Sequence, residues 1–232
     1  MKPINRIVPA VLTEDPAALV SMLKLAAEFT DWVQIDVMDG RFVPSLSVTA
    51  RDIGTSGMNT EWEAHLMVCN PERYLNEFHS AGAKRIVVHY EAVKNMAAEV
   101  IIKIKSMDMQ AGLAINPETR ISELEPNLVK QLDSVLFLSV HPGFYGAKFI
   151  PEVLGKISLF RRSYPETSIG IDGGIKSSNV TEVSRCGVNE ICVGSAVFSQ
   201  PDPAASFHEL TRLAKLGWEE NKASFGIQEP DD

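Results

Sequence analysis

The sequence predicts an α/β fold of the (β/α)8, or TIM-barrel, type. Short runs of apolar and β-branched residues recur along the chain, and a segment with helical character follows most of them. Most runs read as apolar on both faces, as in the consecutive Ile86, Val87 and Val88. Such strands are typical of parallel sheets that helices cover. The eight predicted strands span residues 6–12, 32–38, 61–68, 85–91, 110–116, 134–140, 168–174 and 190–196.

The segments between these runs carry the apolar stripes of amphipathic helices. In the first segment, Asp15 followed by Pro16 predicts an N-cap and the first helical residue. Gly82 and Gly187 stand where a residue just past a helix end is expected. The predicted helices span residues 17–29, 71–81, 94–106, 118–131, 151–162, 177–185 and 203–216.

The alternative architecture is an open, doubly wound sheet. Such sheets usually have fewer strands and a glycine-rich turn after the first strand. Here Leu12 is followed by Thr13, Glu14, Asp15 and Pro16, so this turn holds no glycine. The barrel, whose usual size matches this chain, is therefore favoured.

Size and composition indicate one globular domain. The 232 residues, 45% of them hydrophobic and 22% charged, predict a barrel domain over residues 1–218 and a polar, acidic tail over 219–232. The net charge of -8 disfavours a nucleic-acid partner. No apolar run approaches the roughly 18 residues that span a bilayer. No signal peptide is recognised, and the three cysteines form no CxxC pair, so we expect a cytoplasmic protein without membrane partners.

Ionisable side chains follow the apolar runs at the ends where barrels carry their chemistry. Asp36 and Asp172 end the second and seventh runs, and His65 lies near the end of the third. Gln34 shares a strand face with Asp36 because the two are two residues apart. A carboxylate at this mouth is partly desolvated, which tunes its proton affinity toward neutral pH. The alternative is that the aspartates cap helices or bind loop N–H groups.

Glycine turns after the last two strands predict a phosphate site. Gly173 and Gly174 follow the seventh run, and Gly194 and Ser195 follow the eighth. Barrels often bind phosphate in these turns, where backbone N–H groups approach the anion. The alternative is that both are ordinary tight turns.

The segment after the sixth run is long enough to form a lid over a ligand. It contains Gly143, Phe144 and Gly146, and the alternative is a surface loop. Met38 and Met67 follow the two polar strands and would keep water from a reactive intermediate, unless they only fill the core. His89 and His141 are further histidines at strand ends, each with a smaller chance of contacting a ligand.

Four segments, in this order, resemble the ribulose-phosphate 3-epimerase family: DVMDGRFVP at 36–44, HLMVCNP at 65–71, SVHPGF at 139–144 and DGGI at 172–175. The resemblance runs from residue 9 to about residue 210. It implies a barrel of the ribulose-phosphate-binding type and a phosphorylated ketose substrate. The implied reaction interconverts D-ribulose 5-phosphate and D-xylulose 5-phosphate through a metal-stabilised enediolate. A homo-oligomer is implied as well.

The resemblance also assigns roles to residues. It implies that Gln34, Asp36, His65 and Asp172 hold a divalent metal ion, whether zinc, iron, manganese, cobalt or magnesium, and that the two aspartates act as acid and base. From the strand-end and glycine patterns described above, we also expect His65, Met38 and Met67 to contact the substrate. The remaining substrate and phosphate positions are Gly143, Phe144, Gly146, Gly173, Gly174, Gly194 and Ser195.

Four positions depart from the family pattern. Gln34 stands where the family has histidine, Ala10 where it has serine, Leu138 where it has methionine, and Tyr145 where it has glycine. A carboxamide is a poorer ligand for zinc than imidazole, so we expect weaker or altered metal binding. The alternatives are an epimerase of another ketose phosphate, such as a hexulose 6-phosphate, and a catalytically impaired phosphate-binding paralogue. Aldol chemistry through a Schiff base is disfavoured because no lysine ends a predicted strand.

Overall fold

Eight parallel strands close into a barrel in the computed structural model, which describes residues 5–143 and 148–225. The strands pair in chain order, and β1 also pairs with β8, as the sequence predicts. The strands are β1 (Arg6–Val11), β2 (Trp32–Met38), β3 (Glu61–Met67), β4 (Arg85–His89), β5 (Gln110–Ile115), β6 (Ser134–Leu138), β7 (Ser168–Asp172) and β8 (Glu190–Val193).

Helices connect successive strands on the outside of the barrel. They are α1 (Pro16–Ala26), α2 (Ala50–Gly54), α3 (Leu75–Ser80), α4 (Tyr90–Val93), α5 (Ala97–Lys105), α6 (Pro126–Val129), α7 (Glu152–Ser163), α8 (Val180–Arg185), α9 (Ser195–Phe198) and α10 (Pro203–Phe225). Short 3₁₀ turns lie at Pro71–Arg73, Lys94–Met96 and Ile121–Glu123. Within the segments described, no helix combines the length and apolar composition that crossing a bilayer requires.

Two apolar layers explain why the strands read as apolar on both faces. The larger layer lies between the strands and the helices, where residues such as Ile86, Val88 and Phe160 are fully buried. The smaller layer fills the barrel. Its members are Val8, Ala10, Trp32, Val87, Ala114, Leu136, Leu138 and Cys192. Successive strand residues therefore face opposite apolar layers.

The strand register brings the polar positions to one level of the barrel. Asp36 of β2 pairs with His65 of β3, and Asp172 of β7 pairs with Leu138 on one side and Cys192 on the other. Because all eight strands run in the same direction, their carboxyl ends meet at one mouth. The register thus positions Asp36, His65 and Asp172 at the same end of the barrel.

Local capping fixes where the outer helices begin and end. Asp15 is the N-cap of α1, where its Oδ1 accepts a hydrogen bond of 2.9 Å from the Ala17 backbone N–H, and Pro16 is the first helical residue, as predicted. Gly82 and Gly187 follow α3 and α8 with φ of 93° and 84°, the left-handed conformation that suits a residue past a helix end.

Several predicted elements differ from the structure. The single helix predicted over 118–131 is wrong: Pro126 lacks a backbone N–H and starts the separate helix α6. Helix α2 was not predicted, because five residues are too short for an apolar stripe. Strand β4 ends at His89, so Glu91 lies in α4. Helix α10 continues to Phe225, past residue 216, where the sequence predicts its end, and the Asn221 side chain donates to the Arg185 carbonyl.

A layer of buried charges lies beneath the mouth. Arg85 donates from Nε to Glu63 and from Nη2 to Glu190, both at 2.5 Å, and Arg6 donates to Glu190 as well. Burial raises the pKa of Glu63, which has a single guanidinium partner. Burial acts in the same direction on Glu190, but Arg85 and Arg6 outweigh it and hold the pKa of Glu190 below its ordinary value. Arg85 is thus the cation that both carboxylates share.

Replacing this shared cation should be costly. We expect Arg85→Met to lower the free energy of unfolding by about 3–5 kcal/mol, because two carboxylates would stay buried without their common partner. The control is Arg6→Met: its side chain is 32% exposed and Glu190 keeps Arg85, so the loss should be about 1 kcal/mol. Urea unfolding measures both values, and equal losses in the two variants would contradict the shared-cation account.

Candidate active site

The carboxylates of Asp36 and Asp172 converge at the mouth of the barrel. The Gln34 amide nitrogen donates to Asp36 Oδ1 and to Asp172 Oδ2, each at 2.9 Å. The two acids come from β2 and β7, which β1 and β8 separate. Their side chains are largely buried, so two like charges meet where water screens them poorly.

This proximity changes the proton affinity of one member of the pair. Burial and, after it, the negative charge of Asp36 raise the pKa of Asp172 to about 7, although His65 and the hydrogen bond from Gln34 act in the opposite direction. A carboxyl group with a pKa near neutrality can both accept and donate a proton under ordinary conditions. The site therefore holds a carboxyl group poised for acid–base chemistry.

His65 completes the cluster from β3. Its Nδ1 lies 2.8 Å from Asp36 Oδ1 and 3.6 Å from Asp172 Oδ2, and the ring is fully buried. Burial alone would lower the pKa of His65, but the hydrogen bond to Asp36 and the charges of both aspartates raise it above its ordinary value. The arrangement thus favours positive charge between the ring and the carboxylates.

The same three residues suit a divalent cation. One donor atom from each of Asp36, His65 and Asp172 can be chosen so that all lie within 4.8 Å of one another. Two carboxylates and one imidazole are a common donor set for divalent metals. When both carboxyl groups are ionised, a cation between them is favoured by their negative charge. These observations on the donor set fit a metal ion at this place.

Gln34 touches this cluster with its amide nitrogen rather than its oxygen. Its Oε1 accepts a hydrogen bond of 3.1 Å from the Cys192 thiol. Burial raises the pKa of Cys192 well above its ordinary value, so the thiol stays protonated and remains a donor. The thiol therefore orients the amide so that its N–H groups face the two aspartates. For the Gln34 oxygen to bind a metal, the amide would have to rotate by half a turn.

Apolar side chains form one wall of the mouth. Met38 and Met67 pack with Val43 in a small buried cluster, against which Leu12 and Phe42 also pack. A cavity of about 310 Å³ opens beside Met38, and it is lined by residues that follow β1 and by Gly143. The methionines thus lie where apolar groups would limit access of water to the cluster.

The predicted phosphate positions follow β7 and β8. Gly173 and Gly174 have φ of 112° and 66°, and a Cβ at Gly173 would lie 2.4 Å from the side chain of Val140, so this turn requires glycine. Gly194 ends the turn after β8, and Ser195 is the first residue of α9. Both turns lie at the mouth that carries Asp172.

The start of the predicted lid is anchored to the loop after β2. Gly143 has a φ of 97°, and its carbonyl accepts a hydrogen bond of 2.6 Å from the Ser45 hydroxyl. The other predicted lid positions, Phe144, Tyr145 and Gly146, lie outside the described residues.

Two strand-end histidines have different surroundings. The His141 side chain is 68% exposed and lies 3.2 Å from Glu118. His89 is fully buried, and its Nε2 lies 2.9 Å from Nε2 of His65. The contribution of Cys192 was missed, although its place on β8, two residues before Gly194, is the inward-facing signal that would have identified it.

Comparison with known proteins identifies the relatives of this chain. A family model described as the ribulose-phosphate 3 epimerase family matches residues 6–198. The ribulose-phosphate 3-epimerase of Escherichia coli (strain K12) is 35% identical over 222 residues, which cover 92% of this chain and 98% of that protein. The cytoplasmic isoform from Oryza sativa subsp. japonica is 34% identical over 215 residues, covering 89% of this chain and 93% of that protein.

Solved structures share the architecture at much lower identity. KGPDC from Streptococcus mutans superimposes with a TM-score of 0.73 at 10% identity, covering 92% of this chain and 99% of that one. A 3-hexulose-6-phosphate synthase gives a TM-score of 0.69 at 15% identity, covering 90% and 99%. These likenesses support the fold alone. The sequence matches over most of the chain show that the protein belongs to the ribulose-phosphate 3-epimerase family, as its motifs predicted.

Proposed function

We propose that this protein is an isomerase that interconverts D-ribulose 5-phosphate and D-xylulose 5-phosphate by inverting the configuration at C3. Family membership supports the reaction class, and the names of the relatives support the substrate. The observation that carries the proposal is the convergence of Asp36 and Asp172 on one amide nitrogen. Epimerisation needs a base on one face of the carbon and an acid on the other, and two carboxyl groups from separate strands provide such a pair.

The protonation states of the two carboxyl groups fit proton transfer on both faces of C3. In one direction, an ionised carboxylate removes the C3 proton, and the electrons of the broken C–H bond move to the C2 carbonyl, giving an enediolate. The other carboxyl group then delivers a proton to C3 from the opposite face. A pKa of about 7 allows Asp172 to fill either role near neutral pH. The two carboxyl groups exchange protonation states in each turnover, and the reverse reaction uses the same pair.

Charge stabilisation accompanies this transfer. Asp36, His65 and Asp172 would hold a divalent ion, which when bound supplies positive charge for the enediolate oxygens. Gln34 positions both carboxylates through its amide N–H groups. The buried Met38 and Met67 keep the site poor in water, which strengthens electrostatic interactions there.

The phosphate end of the substrate has a separate place in the proposal. We assign it to the turns at Gly173, Gly174, Gly194 and Ser195, because successive backbone N–H groups in glycine-containing turns can bind an anion. These turns lie beside Asp172, so a phosphate bound there would direct the sugar chain toward the carboxylate pair.

We also propose that the protein acts in the cytoplasm as a homo-oligomer. One relative is named as a cytoplasmic isoform, and the three cysteines are free thiols. Sedimentation velocity of the purified protein tests the oligomer, and a single species with the 25.5 kDa mass of one chain would contradict it.

Removing either carboxylate should stop proton exchange at C3. We expect Asp36→Asn and Asp172→Asn each to slow the exchange of the C3 proton of ribulose 5-phosphate with deuterated water by at least about 100-fold, because an amide cannot shuttle the proton. Proton NMR measures the exchange with a divalent ion present. The control is Asp31→Asn, at the opposite end of β2, which should keep full exchange. Undiminished exchange in either active-site variant would remove the two-aspartate relay.

Zinc affinity should respond to the residue at position 34. We expect Gln34→His to bind zinc more tightly, by about 10-fold or more, because imidazole nitrogen is a better zinc donor than a carboxamide. The control is Gln34→Leu, which offers no donor and should not gain affinity. Competition titration with a chromogenic chelator measures all three proteins. Equal affinity in the parent and Gln34→His would place residue 34 outside the coordination sphere.

A further inference from the structure

A chain of four side chains runs from the carboxylate pair into the wall of the barrel. Asp36 Oδ1 lies 2.8 Å from His65 Nδ1, and His65 Nε2 lies 2.9 Å from His89 Nε2. Nδ1 of His89 in turn faces Glu91 Oε2 at 3.4 Å. Both imidazoles are fully buried, so every ring nitrogen depends on these neighbours for its hydrogen bonds.

Glu91 is the end of this series of hydrogen-bonded side chains, and it is held in place by two donors. Its Oε1 accepts hydrogen bonds from the Asn116 backbone N–H at 2.9 Å and from the Thr119 hydroxyl. A carboxylate held by two donors on one oxygen offers only acceptor capacity on the other. The group that faces Glu91 Oε2 must therefore be a donor, which places a proton on Nδ1 of His89.

The direction of every further hydrogen bond follows from that proton. A neutral imidazole carries one N–H, so Nε2 of His89 is an acceptor. The neighbouring Nε2 of His65 must then donate. This leaves Nδ1 of His65 facing Asp36 Oδ1 at 2.8 Å and Asp172 Oδ2 at 3.6 Å. An unprotonated ring nitrogen and a carboxylate oxygen are both acceptors, so at 2.8 Å a cation, either a proton or a metal ion, must lie between them.

The loop after β2 supplies an aromatic neighbour to the His89 ring. The Phe42 ring packs against it with the ring centroids 4.8 Å apart. Asp39 holds the loop that carries Phe42: its Oδ1 accepts from the Phe42 backbone N–H and its Oδ2 from the Cys69 backbone N–H, both at 2.9 Å. The loop after β2 is thereby tied to the residues that follow β3, and its Phe42 ring contacts His89.

We infer that His89 and Glu91 are positioning residues that fix the proton of His65 on Nε2, so that its Nδ1 is presented to the two aspartates and to a metal ion between them. The inference deepens the proposed function, since it concerns the same site. Without the acceptor at Glu91, His89 can adopt the opposite tautomer and donate to His65. His65 would then carry its proton on Nδ1, where the proton blocks the nitrogen as a ligand.

The protonation pattern can be read directly from the native protein. Nitrogen-15 NMR of the metal-free protein, labelled at histidine, distinguishes protonated from unprotonated ring nitrogens. We expect an unprotonated Nε2 and a protonated Nδ1 in His89, together with a protonated Nε2 in His65. A protonated Nε2 in His89 paired with an unprotonated Nε2 in His65 would overturn the inference, whatever the variants do.

Variants then test the consequence for metal binding, with zinc alone as the probe. Glu91→Gln supplies an amide that can donate to His89, and His89→Phe removes the acceptor for His65 while keeping a ring against Phe42. Each should weaken zinc binding by about 10–100-fold, the usual cost of losing the partner behind a metal-binding histidine. Thr119→Val is the matched control: it removes one hydrogen bond to Glu91 but keeps the carboxylate, so its zinc affinity should stay within about 3-fold of the parent.

The outcomes separate this inference from the proposed function. Native tautomers and native zinc affinity in folded Glu91→Gln would overturn the inference, and folding is checked by thermal unfolding. If Glu91→Gln fails to fold, the spectrum of the native protein still decides. Neither the NMR spectrum nor the zinc titration requires turnover. If the protein shows the expected tautomers but does not epimerise ribulose 5-phosphate, the result contradicts the proposed function and supports the inference.

Discussion

The meeting of two buried carboxylates is the constraint on which the rest of the site depends. Asp36 and Asp172 lie where water screens their charges poorly, so the surrounding side chains must supply donors or positive charge. Gln34 bridges the pair with its amide nitrogen, and His65 approaches from β3 with a ring whose pKa is raised by the aspartates. The closed sheet makes this possible because it brings strands that are distant in the chain to one mouth.

The site is supported in successive layers around this pair. The Cys192 thiol orients the Gln34 amide, and His89 lies directly behind His65. Below them, Arg85 joins two further buried carboxylates, so the floor of the site is itself charged and paired. Gln34, His65 and Arg85 each have specific partners in these layers, and removing one partner would leave another group buried and unsatisfied.

Much of this arrangement was predictable from the chain. Every strand begins at the residue that its apolar run predicted, because parallel strands buried on both faces have a composition that few other elements share. The polar residues at strand ends are also identifiable from the sequence, because each follows an apolar run. All strands run in one direction, so these residues are expected at one mouth. The elements predicted poorly are short: α2 has no room for a periodic stripe, and Pro126 divides the segment whose pattern predicts one helix.

The supporting layers could not be predicted in the same way. The partnership between Gln34 and Cys192 joins residues 158 positions apart, and the orientation of an amide depends on that partner. The central claim is that one carbon of the substrate lies between Asp36 and Asp172. A crystal structure of the protein with bound D-ribulose 5-phosphate measures this directly: the account predicts C3 within about 3–3.5 Å of one carboxylate oxygen on each face. Both carboxylates on one face of C3, or either beyond about 5 Å, would contradict it.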